Sequence, residues 1–398
     1  MGEGNYVIRV ATHPSEVEPQ AWDDLLAVQS QPTPFMRHAY LAALHTSGSA
    51  CASTGWAPHF LMLEADGKLV AACVVYLKNH SQGEYVFDWA WASAYRQHGV
   101  PYYPKAVVAV PFTPVPGSRL LALDAAARAA LVQVLIAWGE QTGVSSLHLL
   151  FGADDDLQSC AGAGLMLRHT VQFHWNNSAP GFQDFEDFLA SLAQAKRKKI
   201  RQERRKVLDA GVTFRHALGT DISRADWDFF YRCYERTYLE HGNPPYLSRD
   251  FFGEMARSMP EHWLLFIAER NGHAIASSLI AVSEHPVRAG GLNDSTTSKV
   301  AYGRYWGALE PVDCLHFEAC YYQPLQWCIA NGYQRFEGGA QGEHKMARAL
   351  LPVRTSSAHW IAHPAFAEAV ARFLERESEG VGNYLQDLQQ RSPLRTST

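Results

Sequence analysis

Two long apolar segments of the chain share one pattern of hydrophobic and polar positions. Each consists of two hydrophobic runs joined by a short polar dipeptide, Asp66-Gly67 in the first half and Asn271-Gly272 in the second. Such dipeptides favour the positive φ angles that a tight hairpin turn requires. The pattern therefore predicts one β-hairpin in each half of the chain.

Helical periodicity with recognisable end signals predicts several helices. An Ala/Leu-rich run begins at Asp124, a capping residue, and stops at Gly143. Two amphipathic segments of the second half begin at Ser223 and Ser248, which are also good N-caps. A long final helix is expected from Pro364 to about residue 379.

The order of these elements predicts two domains. At 398 residues the chain is long for a single core. A tract rich in turn formers, residues 172–183, separates two halves that each contain a hairpin, a later apolar helix, a strand and a loop. We expect an N-terminal domain over residues 1–175, a C-terminal domain over 184–398, and a weak internal duplication of one α/β unit.

Positive charge is concentrated in one segment. The run "KRKKIRQERRK", Lys196 to Lys206, holds eight of the 35 basic residues, which leaves 27 basic against 39 acidic residues elsewhere. A positive patch on an acidic protein indicates a local anionic partner and not a surface coated for nucleic acid. Apolar spacing predicts that residues 189–210 form a basic helix that Gly211 ends.

Three functions are open for this basic helix. It can be a solvated face, although eight charges in eleven residues repel one another. It can bind the phosphates of a nucleic acid. It can also form a pocket wall, where Lys198, Arg201 and Arg205 would bind the diphosphate of a nucleotide-linked or CoA-like substrate.

The stretch "FEGGAQGEHKMARALLPVRTSSAHW", Phe336 to Trp360, concentrates candidate chemistry at the end of a predicted strand. Gly338 and Gly339 permit close approach to the backbone, and open α/β sheets bind ligands at strand ends. The polar residues that follow are Gln341, Glu343, His344, Lys345 and Arg348.

These polar residues allow two interpretations. In a binding site, the basic side chains would neutralise a phosphate or carboxylate, and Glu343 or Glu337 would take a proton from an ammonium group. Alternatively the stretch is a capped loop, with Glu343 in the first turn of a short helix and with Lys345 and Arg348 in solvent.

The segment "LHFEACYYQ" places His316, Glu318 and several tyrosines close together. If it is extended, His316, Glu318, Cys320 and Tyr322 share a face; if it is helical, Glu318 lies near Tyr321 and Tyr322. A buried carboxylate among tyrosines acquires a raised pKa, which suits a general base near neutral pH. The alternative is a hydrogen-bonded core network.

A metal site is a further alternative, and the spacing of the candidate ligands argues against it. None of the candidates has the H-E-x-x-H spacing or a cysteine pair, so we expect no metal. The seven cysteines lack a C-x-x-C motif and are expected to be reduced. The candidate ligands are His316, Glu318, Glu343, His344, His359 and His363.

Taken together, several segments resemble predicted N-acyltransferases described as "peptidoglycan biosynthesis/recognition", which belong to the GNAT superfamily and are related to Fem-type peptidyltransferases. The resemblance covers most of the chain. It implies an α/β (α+β) protein of two tandem GNAT-like domains, each a mixed, mostly antiparallel sheet flanked by helices. The segments that carry it are Pro111–Leu121, Lys196–Lys206, Leu315–Gly332, Phe336–Pro352 and Thr355–Trp360.

The resemblance implies an N-acyltransferase that moves an acyl or aminoacyl group from acyl-CoA or aminoacyl-tRNA to an amine acceptor in cell-wall chemistry. For a reaction of this kind we expect the catalytic residues to be Glu318, Glu337, Glu343 and His344. We expect the binding residues to be Gly338, Gly339, Gln341, Lys345, Arg348, Tyr322, Lys198, Arg201, Arg205 and Arg119.

A GNAT-type enzyme also needs a turn that cradles the donor diphosphate with backbone N–H groups. "TPVPGSR", Thr113 to Arg119, stands in about the expected place, although its prolines remove donors. "GRYWGAL", Gly303 to Leu309, matches the usual pattern in part, with Leu309 where a small residue belongs. An ordinary turn is the alternative for both.

Targeting signals are the last feature that bears on function. The first residues carry acids and lack an apolar run, and no stretch approaches the length of a membrane span, so a cytoplasmic protein is expected. The competing hypothesis from another class is a non-catalytic protein that binds RNA or an anionic cell-wall precursor through the basic helix.

Overall fold

The computed structural model describes residues 6–177, 180–286, 297–340 and 342–395. Within these ranges the chain forms thirteen strands. They are β1 (Val7–Ala11), β2 (Trp56–Ala65), β3 (Lys68–Lys78), β4 (Lys105–Val108), β5 (Leu121–Ala122), β6 (Ser146–Leu149), β7 (Met166–Asn176), β8 (Val212–Leu218), β9 (Trp263–Arg270), β10 (His273–Pro286), β11 (Thr297–Ala308), β12 (Arg335–Glu337) and β13 (Leu351–Ile361).

The same ranges contain twelve α-helical segments. They are α1 (Pro19–Ala27), α2 (His38–Thr46), α3 (Trp89–Gln97), α4 (Ala125–Thr142), α5 (Asp154–Gly162), α6 (Phe185–Ala190), α7 (Gln194–Asp209), α8 (Arg224–Glu240), α9 (Arg249–Ser258), α10 (Leu315–Phe317), α11 (Gln323–Ala330) and α12 (Pro364–Gln390). A π-helical turn, Glu318–Tyr322, joins α10 to α11, and a 3₁₀ turn covers Glu343–Arg348.

The predicted turns and caps are present. Asp66 and Asn271 have φ angles of 52°, each followed by a glycine that is also at positive φ. The side chains of Asp124, Ser223 and Ser248 accept hydrogen bonds from backbone N–H groups three residues on. Local chemistry therefore determines where these hairpins turn and where these helices begin.

Two predicted helix boundaries differ from the structure. The basic helix begins at Gln194, after a separate short helix that ends at Ala190, and does not run unbroken from residue 189. The last helix continues to Gln390, beyond the expected end near residue 379. None of the described helices is both long and apolar enough to cross a membrane.

The chain divides into two structural units. The first comprises residues 1–170 and 354–384, and the second comprises 171–353 and 385–398. The linear division expected from the sequence places residues 354–384 in the C-terminal domain, whereas their contacts assign them to the first unit.

The strands of the first unit form a mixed, mostly antiparallel sheet. β1, β2, β3 and β4 pair antiparallel in chain order, and β6 then pairs parallel with β4. β13, which returns from late in the chain, lies antiparallel to β6. Leucine and valine side chains from this sheet pack against α4 to form the core of the unit.

The second unit repeats this topology. β8, β9, β10 and β11 pair antiparallel, β12 pairs parallel with β11, and β7 lies antiparallel to β12. Its core contains aromatic residues from the sheet, α6 and the π-helical turn. The predicted fold class is confirmed, and the matching strand order supports the duplication inferred from the sequence.

Candidate active site

The centre of the second unit's sheet contains a cavity where two parallel strands part. β11 and β12 pair from Val300 and Arg335 to Tyr302 and Glu337, where β12 ends while β11 continues to Ala308. A cavity of about 130 Å³ opens beside the continuing part of β11. Its lining comprises Ser278, Leu279, Ile280, Gly303, Arg304, Tyr305, Trp306, His316, Cys320, Tyr321, Phe336 and Gly338.

A β-bulge shapes this cavity. Tyr305 of β11 faces Leu279 of β10, whereas the next residue of β10, Ile280, faces Gly303, so Arg304 is the extra residue. Bulges turn side chains out of the regular alternation of a strand. A side chain at Gly303 would lie 3.2 Å from the Phe336 ring, so glycine keeps this part of the wall open.

A second, more aromatic cavity of about 340 Å³ shares Arg304, Tyr305 and Trp306 with the first. Helix α8 contributes Tyr234 and Tyr238 to it, and residues of the loop after α8 complete its wall. The helix approaches β11 closely because position 307 is glycine: an added Cβ would lie 2.0 Å from the carbonyl oxygen of Cys233.

The π-helical turn presents Cys320 and Tyr321 to the first cavity, and α10 presents His316. Pro324 lacks an N–H group and therefore leaves a carbonyl of the preceding turn without its helical donor. The buried Ser278 hydroxyl donates to the Ala319 carbonyl oxygen at 2.5 Å. This bond fixes the π-helical turn against β10, so the cavity wall does not depend on helical hydrogen bonds alone.

His316 is the cavity residue best suited to accept a proton. Burial, with the nearby charges of His344, Arg348 and Lys345, lowers the pKa of His316 to about 4. The imidazole is therefore neutral at pH 7. From the sequence, His316 is a candidate metal ligand or a member of an extended face. The i, i+4 spacing of His316 and Cys320 is the helical signal that could have identified this wall.

Tyr321 lies beside His316 with its hydroxyl 3.1 Å from Nε2 of His344. Burial raises the pKa of Tyr321, so its hydroxyl stays protonated at neutral pH. The predicted site residue His344 thus reaches the cavity through Tyr321.

Lys345 is buried and holds the loop that follows β12. Its Nζ donates to the carbonyl oxygens of Gly339 and Ala340 at 3.0 and 3.2 Å. Burial lowers the pKa of Lys345 to about 8. A Cβ atom added at Gly338 would lie 2.5 Å from the Leu350 side chain and 3.2 Å from the Lys345 side chain. The groups that closely approach the backbone at this glycine therefore include side chains of the protein itself.

Glu318 points away from the cavity toward the basic helix. Its carboxylate accepts hydrogen bonds from Nε of Arg204 at 3.1 and 3.2 Å and from Gln323 at 2.8 Å. The side chain is buried and ion-paired, so its position suits anchoring of α7 better than proton transfer in the cavity.

Tyr322 and Arg348 converge on a second acid of the basic helix. The Tyr322 hydroxyl donates to the buried Glu203, and Nη2 of Arg348 lies 2.9 and 3.0 Å from the two Glu203 oxygens. The Arg348 guanidinium also lies 3.5 Å from the centre of the Phe317 ring. Both predicted substrate-binding residues are therefore engaged within the protein, and neither lines the cavity.

The two remaining predicted acids lie in different surroundings. Glu337 is buried in β12, with Nε of Arg335 2.9 Å from one carboxylate oxygen and His174 3.9 Å from the other. Glu343 is exposed and pairs with Arg391 at 2.5 Å. Neither carboxylate lines the cavity. Gln341 lies outside the described residues.

The basic helix has two faces. Ile200, Glu203 and Val207 are buried, whereas Lys198, Arg201 and Arg205 lie on the exposed side. Arg201 pairs with Glu186 at 2.5 Å. Lys198 and Arg205 are accessible to a large anion, and none of the three residues forms the wall of the cavity.

In the first candidate phosphate cradle the backbone N–H groups are bonded within the protein, and the second candidate is part of a strand. In the first unit, the N–H groups of Gly117, Ser118 and Arg119 donate to Phe151, Gln31 and Asp156. The Arg119 side chain is buried and donates to the carbonyls of Leu150 and Val115. "GRYWGAL" is neither a turn nor a cradle, because it lies within strand β11 apart from its last residue.

Possible metal ligands are dispersed. Among the described residues, no three His, Cys, Asp or Glu side chains are grouped so that they could hold a metal ion.

Comparisons with known proteins agree with this architecture. The model of the FemAB-like family, described as peptidoglycan biosynthesis/recognition, matches residues 13–396. The chain belongs to this family. The predicted family and the predicted enzyme class, an acyltransferase acting in cell-wall chemistry, are confirmed, and a non-catalytic binding protein is not favoured. No curated protein matches the chain.

Two solved structures with low sequence identity share the fold. The crystal structure of FemX has 10% identity and a TM-score of 0.52, covering 89% of this chain and 98% of its own. The C-terminal domain of a putative lysylphosphatidylglycerol synthetase from Agrobacterium fabrum has 12% identity and a TM-score of 0.52, covering 91% and 96%.

Proposed function

We propose that the cavity beside β11 is the acyl-transfer site, that the donor is an aminoacyl-tRNA, and that the acceptor is an amine of a peptidoglycan precursor. The observation that carries this proposal is the neutral imidazole of His316 beside the protonated Tyr321 in a cavity at the end of a parallel strand. The reaction is assigned to the cytoplasm, where charged tRNA is made.

The proposed reaction begins with attack of the neutral amine nitrogen on the carbonyl carbon of the donor. As the N–C bond forms, the nitrogen becomes strongly acidic, so even a weakly basic imidazole can take its proton. His316 accepts that proton. It then returns the proton to the ribose oxygen as the ester C–O bond breaks, leaving an amide and the free tRNA end.

Tyr321 is the proposed donor to the oxyanion of the tetrahedral intermediate. His344 has a pKa below its ordinary value because of burial and two nearby cations, so its ring is neutral at pH 7. If Nε2–H of His344 donates to the Tyr321 oxygen, the phenolic O–H is oriented toward the substrate. His344 would then be a positioning residue.

The size of the cavity restricts the acyl group. A volume of about 130 Å³ is close to the ~150 Å³ that holds a benzene-sized molecule. A small aminoacyl or short acyl group fits, whereas a long acyl chain does not. The adjoining aromatic cavity is the proposed place of the acceptor, because it shares Arg304, Tyr305 and Trp306 with the reaction site.

The choice of aminoacyl-tRNA over acyl-CoA is supported by the exposed basic face of α7. Lys198 and Arg205 project into solvent, where a long polyanion can bind and a small diphosphate would find no enclosing wall. Acyl-CoA remains the alternative donor and requires a diphosphate site elsewhere.

The deciding experiment offers purified protein a peptidoglycan precursor with a panel of charged tRNAs and short-chain CoA thioesters, and detects the product by mass spectrometry. Amide formation from charged tRNA is expected, and exclusive use of a thioester would overturn the proposed donor. His316→Ala should lower the rate at least ~100-fold. The matched control is His363→Ala at an exposed position; equal rates in the two variants would remove His316 from the mechanism.

A further inference from the structure

The first unit contains a cleft that the proposed reaction does not use. Its volume is about 780 Å³, and it lies between one face of helix α3 and the loop that follows the helix. The helix contributes Trp89, Ala92, Ser93 and Arg96, which stand at positions i, i+3, i+4 and i+7 and therefore share one face. Residues 99–103 form the opposite wall.

Helix α3 is held firmly by its other face. Trp91 and Tyr95 are buried, and the Tyr95 ring stacks on Phe366 with 3.9 Å between ring centres. Because packing fixes the inner face, the outer face is presented in a fixed orientation. Trp89 at its start remains 51% exposed.

The opposite wall is also anchored. The Tyr102 hydroxyl donates to Asp88 at 2.6 Å, and the Tyr103 hydroxyl lies 2.8 Å from Ser81. The buried ammonium of Lys105 bridges this network through hydrogen bonds to Asp88 and Ser81. The two tyrosine rings are thus held in place by buried charge pairs, as the wall of a preformed site requires.

The lining of the cleft combines a mostly apolar wall with one positively charged side chain. Arg96 is exposed, and no ion pair joins it to a carboxylate among the described residues. The residues that line the cleft include no acid, and most of its wall is aromatic or aliphatic. Trp89 and Arg96 are seven helical positions apart, about 10 Å along the axis. The cleft therefore offers an aromatic surface at one end and a single cation at the other.

We propose that this cleft binds an amphipathic aromatic anion, whose ring packs against Trp89 and Tyr103 and whose carboxylate or sulfonate pairs with Arg96. The volume lies within the range of about 300–1,000 Å³ that is usual for small-molecule sites. The arginine fork matches a planar oxyanion, and aromatic side chains supply most of the buried area. None of the residues that line this cleft lines the acyl-transfer cavity.

The test titrates the full-length protein with 8-anilinonaphthalene-1-sulfonate, a fluorescent aromatic sulfonate. Saturable binding is expected, with the dissociation constant raised at least tenfold by Trp89→Ala and by Arg96→Ala. Arg96→Lys should retain part of the affinity because it keeps the charge. Both positions are exposed, so the variants should fold, which circular dichroism verifies.

Arg372→Ala is the matched control, since Arg372 is an exposed arginine of the same unit that does not line the cleft. It should change the dissociation constant less than twofold. The proposal is overturned if the wild-type protein does not bind the probe, if Trp89→Ala and Arg96→Ala bind it as tightly as the wild type, or if Arg372→Ala weakens binding as much as they do.

Discussion

Arg348 and Glu203 form a buried ion pair, with Nη2 of the arginine 2.9 and 3.0 Å from the two carboxylate oxygens. The residues are 145 positions apart in the chain. Their pairing joins the 3₁₀ turn after β12 to the basic helix, and Tyr322 donates to the same carboxylate. An arginine that looks like a phosphate ligand in the sequence is thereby a structural element of the second unit.

Glu203→Gln should destabilise the protein strongly. The substitution leaves the Arg348 guanidinium buried without its counter-charge, which typically costs about 3–5 kcal/mol. Urea unfolding of the second unit should therefore begin at a clearly lower concentration. Lys199→Ala is the control on the same helix, because Lys199 is 60% exposed and lies 4.0 Å from Glu203. Equal stability of the two variants would contradict the structural role of the pair.

The pH dependence of transfer should lack an acid limb near pH 6.5. The proposed base, His316, must be neutral to act, and its pKa of about 4 keeps the imidazole neutral at pH 6.5. Activity that depends on this group is present above about pH 4 and is lost as the pH falls through that value. The measurement is kcat/KM from pH 8 to pH 5; a fall with a midpoint near 6.5 would show that a less perturbed histidine is the base.

Binding of tRNA should depend on the exposed face of α7. Lys198→Ala combined with Arg205→Ala should weaken binding and reduce the slope of log K against log salt concentration by about 1.4–1.8, since each phosphate contact contributes about 0.7–0.9. Fluorescence anisotropy at several salt concentrations measures both effects. Lys206→Ala is the control, because Lys206 pairs with Asp313 at 2.6 Å. An unchanged slope in the double variant would remove this face from the donor site.

The first unit should lose stability in acid because of a buried histidine pair. The Nδ1 atoms of His148 and His359 are 2.8 Å apart, and Nε2 of each ring contacts a serine hydroxyl. Burial is the main reason that both pKa values lie well below 6.5. The charges of Lys105 and Arg168 lower the pKa of His148 further, and those of His148 and Arg168 lower the pKa of His359. Below pH 6.5 the unfolded chain binds protons that the folded chain does not, so stability falls as the pH falls.

Replacing both rings by glutamine should flatten this dependence, as measured by the urea midpoint between pH 7 and pH 5. The charge of Asp88 acts in the opposite direction on His359, and its carboxylate is paired with Lys105. His363→Gln at an exposed position is the control and should leave the dependence unchanged. A dependence that is the same in the double variant would assign the acid sensitivity to other groups.

The sequence by itself determined the features that depend on neighbouring residues. The turns at Asp66 and Asn271 and the caps at Ser223 and Ser248 follow from the φ preferences and hydrogen-bonding capacity of those side chains. The order of such elements was sufficient to predict two copies of one α/β topology, and the motifs of the second half identified the family.

Only the tertiary structure decided which polar residues face the cavity. Glu318, Tyr322 and Arg348 bond to α7, whereas His316 and Tyr321 face the cavity, because a helical segment presents alternate sides to different partners. Residue type gives each side chain its chemistry. Burial and partners far along the chain determine its pKa and its access to a substrate, and no local sequence pattern specifies them.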